Sequence, residues 1–136
     1  MFFKYELDHI GIAVESLEQG MKFYQALGFE DLGVEEVASE KVRTQFLKLE
    51  NHAKLELLEP TSDDSVIKKF LEKKGPGIHH ICLRVKNIDE VVKNIKVKGI
   101  RLINETPKMG AHNCRFVFVH PASTGGILIE LSEPQG

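Results

Sequence analysis

Residues 9–28, HIGIAVESLEQGMKFYQALG, align without a gap to residues 80–99, HICLRVKNIDEVVKNIKVKG. His9 matches His80, Ile10 matches Ile81, Val14 matches Val85, Lys22 matches Lys93 and Gly28 matches Gly99. The copies also share an order of events: a short alternating run, a capping residue, then an apolar periodic stretch closed by glycine. A repeat of this kind constrains architecture before any single element is assigned, because each copy must form the same supersecondary unit. Ser16 and Asn87 can accept from orphan helix N–H groups, and Gln19 and Glu90 three residues later would complete a capping box, so helices are predicted to start there. Gly28 and Gly99 stand where a left-handed C-terminal cap is expected, so the helices are predicted to end there.

Further strand-like runs follow in each copy: residues 42–49 and 54–59 in the first, 114–120 and 126–132 in the second. Both copies close alike, LELLEP ending at Pro60 and IELSEP ending at Pro134. Between them, SDDSVIKKFLEKKG has an acidic start, apolar Val66, Ile67 and Phe70, and a basic end, which predicts a short helix aligned with its own macrodipole. The expected organisation is a single α+β domain over residues 1–136, with module one at 5–60, a helical linker at 61–76 and module two at 77–134.

A chain of 136 residues fits one domain with one core. Its 42% hydrophobic and 28% charged residues predict a packed fold and exclude intrinsic disorder. No stretch approaches the roughly 18 consecutive apolar residues of a spanning helix, which argues against a membrane protein. With 18 Lys plus Arg against 20 Asp plus Glu, nothing draws the chain as a whole to phosphate backbones, and nucleic-acid binding is not expected. Cys82 and Cys114 lack CxxC spacing, and no secretory apolar segment precedes the strand expected near Tyr5. A reduced, cytoplasmic setting is therefore expected.

Strand alternation sorts the polar residues. In the first copy Ile10, Ile12 and Val14 should face a helix, leaving His9, Gly11 and Ala13 on the other side, a histidine among very small residues lining an open cavity. In the second, His79, Ile81, Leu83 and Val85 should face the helix, and His80, Cys82 and Arg84 the cavity. Glu56 alternates with Leu55 and Leu57, and Glu130 with Ile129 and Leu131. One histidine and one glutamate therefore recur in matching places. If the modules form one curved sheet around a shared cleft, these four can converge on a divalent cation, which would neutralise otherwise costly buried groups. Two imidazoles and two carboxylates suit Zn²⁺, Mn²⁺, Co²⁺, Ni²⁺ or Fe²⁺, and the absence of thiolates argues against a structural zinc knot.

At these residues the chain resembles the vicinal oxygen chelate (glyoxalase/bleomycin resistance) superfamily, and within it most of all the methylmalonyl-CoA epimerase family. The resemblance rests on DHIGIAV at 8–14, LELLEP at 55–60, SVIKKFLEKKGPGIHHI at 65–81, PKMGAHN at 107–113, FVHP at 118–121 and GGILIEL at 125–131. It implies two tandem βαβββ modules forming a curved mixed sheet around a metal-centred cleft, with His9, Glu56, His80 and Glu130 as ligands of one divalent ion (Co²⁺, Mn²⁺, Zn²⁺ or Ni²⁺). It further implies an acyl-CoA substrate, a homodimer, and interconversion of (2R)- and (2S)-methylmalonyl-CoA. Proton removal α to the thioester and return to the opposite face require two carriers, or one that moves between faces. Glu130 is the expected catalytic carrier.

The chain departs from the family pattern at Thr44, where some relatives carry a glutamate base; Gln45 beside it lies on the alternate face. Metal-bound water or a residue from another loop is then expected as the second carrier, and His112 in the MGAHN segment as a substrate contact. Lys68, Lys69, Lys73 and Lys74 are candidates for the CoA phosphates. No GxGxxG, P-loop or GxSxG motif is present, which disfavours Rossmann, P-loop and α/β-hydrolase chemistry. Rival expectations are a glyoxalase I type lactoylglutathione lyase, a metal-free ligand-sequestering member of the superfamily, and a ring-cleaving dioxygenase, which would need only two histidines and one carboxylate.

Overall fold

Each alternating run becomes a strand, and each capped periodic stretch becomes a helix laid on it. A computed structural model describes residues 3–136, which pack as two compact units, one of them His9–His79 and the other His80–Gly136 together with the residues up to Asp8.

In the first, β1 (Glu6–Ala13) is followed by two short helical segments, α1 (Leu17–Gly20) and α2 (Lys22–Ala26), then by β2 (Asp31–Val37), β3 (Val42–Lys48) and β4 (Lys54–Pro60), and finally by the linker helix α3 (Val66–Lys74). The strand order is β2-β3-β4-β1. β1 runs parallel to β4 and the other pairs are antiparallel. The second copy repeats the plan with β5 (Gly77–Arg84), α4 (Ile88–Val97), β6 (Lys108–Met109), β7 (Cys114–Val119) and β8 (Ile129–Pro134) in the order β5-β8-β7-β6, with β5 parallel to β8. The α+β class and the paired βαβββ plan hold. Among the described residues, no helix is long and apolar enough to cross a membrane.

One core lies between α1, α2 and the sheet: Val14, Leu17, Met21, Leu47 and Leu57 are buried, with Ile12, Tyr24, Phe29 and Leu55 against them. Contact is close at Gly20, where a Cβ would stand 2.7 Å from Val14 Cγ1 and 3.2 Å from Leu57 Cδ2. The second copy buries Ile88, Val91, Val92 and Ile95 of α4 against Val85, Val117 and Leu131. That spacing of three, four and seven residues is the single apolar stripe of a surface helix, and each such side chain contributes about 1.5–3 kcal/mol by leaving water.

Several expectations need correction. Ala13 does not line an open cavity: it is fully buried beneath Ile67 and Leu71 of α3, beside Val42 and Leu58. The linker helix, capped by Ser65 accepting from the Ile67 N–H at 3.2 Å, thus closes one end of the His9 face. Ser16 Oγ accepts from the Gln19 N–H at 3.1 Å as expected. Asn87, however, sits in the left-handed region (φ 57°) and its side chain makes no cap bond. The terminal strand starts at Ile129 rather than 126, because Gly125 (φ 79°) and Gly126 (φ 106°) belong to a turn that the Thr124 hydroxyl closes by accepting from the Ile127 N–H at 3.0 Å. The end glycines are as predicted, Gly28 at φ 78° and Gly99 at φ 76°. The copies differ most at the outer strand, seven residues in β2 and two in β6.

Candidate metal centre

Parallel pairing of β1 with β4 sets Gly11 opposite Glu56, and antiparallel pairing of β3 with β4 sets Phe46 opposite the same residue. His9, two residues before Gly11, shares its face. With no side chain at Gly11, the Glu56 carboxylate reaches along the sheet, and His9 Nε2 lies 3.1 Å from Glu56 Oε1. Both residues are buried, 6% and 5% exposed. The Phe46 ring stands edge-on to the imidazole at 5.7 Å between centroids.

The second copy builds the same arrangement from its own strands. Small Cys82 stands opposite Glu130 on β8, with Phe118 of β7 opposite on the other side. His80 Nε2 lies 3.1 Å from Glu130 Oε1, and Phe118 meets His80 edge-on at 5.5 Å. The two histidines and two glutamates singled out from the sequence are thus brought together as His9 with Glu56 and His80 with Glu130. The aromatic partner in each pair was missed, although Phe46 shares strand parity with Thr44 and lies in a run already read as a strand.

An imidazole nitrogen and a carboxylate oxygen 3.1 Å apart and shielded from water need something between them, either a proton on Nε2, carried by a neutral or a protonated ring, or a cation bound by both. The donors are nitrogen and oxygen alone. Cys82 is fully buried and its Sγ faces Ser132 Oγ at 3.2 Å. Each pair therefore fits a borderline divalent ion such as Mn²⁺, Co²⁺, Ni²⁺ or Zn²⁺.

Other singled-out residues have different surroundings. Thr44 is buried, and its hydroxyl donates to the Glu35 carbonyl at 3.3 Å. Gln45 donates through Nε2 to Asp31 Oδ2 at 2.7 Å. Arg84 donates from Nε and Nη2 to Asp8 Oδ1 at 2.9 and 2.6 Å, and that carboxylate raises the guanidinium pKa above its usual value. His112 is exposed in the Ala111–Asn113 turn, where both His112 (φ 56°) and Asn113 (φ 54°) take the left-handed conformation. Two such non-glycine residues in succession store strain, and Asn113 secures the turn by donating from Nδ2 to the Gln135 carbonyl at 3.0 Å. Of the four lysines of α3, Lys68 is half-buried and the others exposed, with Lys74 Nζ 5.9 Å above the Phe70 ring.

The model of the glyoxalase/bleomycin resistance protein/dioxygenase superfamily matches residues 8–118. The mitochondrial methylmalonyl-CoA epimerase of Dictyostelium discoideum is 44% identical over 132 residues, 94% of this chain and 78% of that protein. The crystal structure of methylmalonyl-CoA epimerase from Mycobacterium tuberculosis superposes with a TM-score of 0.91 at 38% identity, covering 96% of this chain and 88% of that one. A variant of the Streptomyces coelicolor methylmalonyl-CoA epimerase, in complex with 2-nitronate-propionyl-CoA, superposes with a TM-score of 0.90 at 36% identity over 96% and 97% of the two chains.

Proposed function

The chain belongs to the glyoxalase/bleomycin resistance protein/dioxygenase superfamily, and within it we propose that it is a methylmalonyl-CoA epimerase, interconverting the (2R) and (2S) thioesters by moving the α proton. The observation that carries this reading is the repetition of one His–Glu pair, its histidine buried and its atoms at the same 3.1 Å in both copies. Relatives that bear the epimerase name match the chain along almost all of its length.

In this reading His9, Glu56, His80 and Glu130 are the ligands of one divalent cation, Co²⁺, Mn²⁺, Zn²⁺ or Ni²⁺. When bound, that ion would stabilise the negative charge that develops on the thioester oxygen. The protein's own groups move the proton. Glu130 takes it through a carboxylate oxygen, and the apolar ring of Phe118 opposite it keeps bulk water from competing for the proton. The return to the opposite face needs a second carrier. Thr44 cannot serve as a base near neutral pH, and its hydroxyl is engaged with Glu35. The carboxylates of the β2–β3 hairpin that are half-buried are Glu35 and Glu40, and the second carrier is one of these two. Glu35 stands opposite Thr44 and so on the Glu56 face. Glu40 ends the 3₁₀ turn Ala38–Glu40, beside Lys41 at a left-handed φ of 56°. His112 contacts the acyl-CoA from its strained turn, and the lysines of α3 meet the CoA phosphates. The enzyme works as a cytoplasmic homodimer, in a compartment that keeps Cys82 and Cys114 as free thiols.

The test is solvent deuterium incorporation at Cα of methylmalonyl-CoA by untagged, metal-loaded protein, run beside isomerisation of the glutathione–methylglyoxal adduct. Exchange at Cα is expected. Isomerisation of the adduct without exchange would overturn the reading in favour of a lactoylglutathione lyase. Glu35→Gln and Glu40→Gln then separate the two carriers, since only the true one stops exchange on one face of the substrate while leaving the other.

A further inference from the structure

Three residues beyond each ligand glutamate, the chain places a second glutamate with a different partner. Glu59 Oε1 accepts from the backbone N–H of Leu17 at 3.0 Å. Glu133 accepts from two successive backbone groups, Asn87 N–H at 2.6 Å and Ile88 N–H at 3.1 Å. Both are long-range contacts, between residues 42 and 46 or 45 positions apart. In each copy they tie the start of the helix that follows the histidine strand to the end of the glutamate strand.

These two strands are parallel neighbours, β1 with β4 and β5 with β8. Their hydrogen-bonded edges end at matching places, the Val14 N–H on the Leu58 carbonyl at 2.9 Å and the Val85 N–H on the Ser132 carbonyl at 2.8 Å. The carboxylate fastens the chain just past that last rung. Parallel register is otherwise left to side-chain packing and the connecting segments, and a slip of one residue would turn the ligand to the opposite face. Local caps do not account for the repetition: Ser16 caps its own helix, whereas Asn87 makes no side-chain cap bond. What the copies share is the remote glutamate.

We infer that Glu59 and Glu133 are positioning residues, each fixing the register of a histidine strand against a glutamate strand so that the His–Glu pair in its own copy is held at ligand distance. Glu59 is itself anchored by Arg43, whose Nε donates to Oε2 at 2.9 Å. In the second copy Arg115 is held instead by Asp89, at 2.9 and 3.0 Å, and Glu133 spends both oxygens on the backbone. The inference rests on the metal reading above, and its test separates the two.

Co²⁺ affinity is measured by competition with a chromophoric chelator, together with the visible absorption of bound Co²⁺, for the wild type and for Glu59→Ala, Glu59→Gln, Glu133→Ala and Ser16→Ala. Thermal midpoints are taken in the metal-free state. Both alanine variants at the glutamates are expected to lose affinity by about 10-fold or more, the scale of removing a group that orients ligands, and to shift the Co²⁺ spectrum. Glu59→Gln, which keeps an oxygen for the Leu17 N–H, is expected to recover most of that loss. Ser16→Ala removes a cap from the same helix without touching the strands, and should lower the thermal midpoint with Co²⁺ affinity unchanged. Equal loss of affinity in Ser16→Ala and Glu59→Ala, or unchanged affinity in both glutamate-to-alanine variants, would overturn the inference. Failure of the wild type to bind Co²⁺ would instead overturn the metal reading on which it stands.

Discussion

Phe118 meets the His80 ring edge-on, its plane at 87° to the imidazole. The contact puts a weakly positive ring edge against a π face, or the reverse, and fixes the swing of the imidazole about its outer bonds. Phe118→Leu keeps apolar bulk and gives up that constraint. Metal affinity is expected to fall about 10-fold, as for other groups that orient a ligand, while a urea midpoint should reflect a loss below about 1.5 kcal/mol, the range of volume-conserving swaps. Isothermal titration with Zn²⁺ and urea unfolding report the two quantities separately.

Loss of a proton carrier and loss of a ligand should leave different signatures. Glu130→Gln is expected to lower α-proton exchange by at least about 100-fold, the scale of an acid/base group, as read by deuterium incorporation with the metal content checked in the same sample. His9→Ala should mainly lower metal content. Near-normal exchange in both variants would show that the chemistry lies elsewhere.

Acid should loosen one exposed clamp. Lys41 and Ser62 hydrogen-bond the Asp64 carboxylate and hold its pKa at about 2, below the ordinary 3.8. A folded-state value below the unfolded one means that the stabilisation is complete above about pH 4 and is lost as pH falls toward 2. The pair is exposed, so the effect should be modest and weaken in salt. Urea midpoints of wild type and Asp64→Asn should differ at pH 5 and converge near pH 2; a gap that persists at pH 2 would contradict the assignment.

The approach of α1 to the sheet makes a further expectation definite. A methyl group at Gly20 would meet Val14 Cγ1 at 2.7 Å, so Gly20→Ala forces the helix outward despite the better helix propensity of alanine. Overpacking of this kind costs about 1–3 kcal/mol, and thermal unfolding of the variant checks it.

Much of this was legible in the sequence because period-two and glycine signals are local. His9, Glu56, His80 and Glu130 were separable from their apolar neighbours by strand parity alone, and the end glycines marked both helices. Ala13 was misjudged because its cover comes from Ile67 and Leu71, more than fifty residues away, and no local pattern reports that. Asn87 has the composition of a cap, but the orphan amides at that helix start are taken by Glu133, whose relevance showed only as a repeated closing tail, LELLEP against IELSEP. The shortness of β6 was hidden too: residues 105–113 lack any alternation to measure, and an outer strand of two residues is held by its neighbour alone.

Because Ile67 and Leu71 make the linker helix part of the first copy's interior, the exposed connection that follows it begins only after Lys74. Gly75 has a left-handed φ of 77° with nothing within 4 Å of a would-be side chain, and Pro76 is exposed. A fluorophore or a foreign loop grafted at Pro76 would thus sit on an exposed tether, outside the interior that the linker helix closes, and would serve as a handle on the molecule.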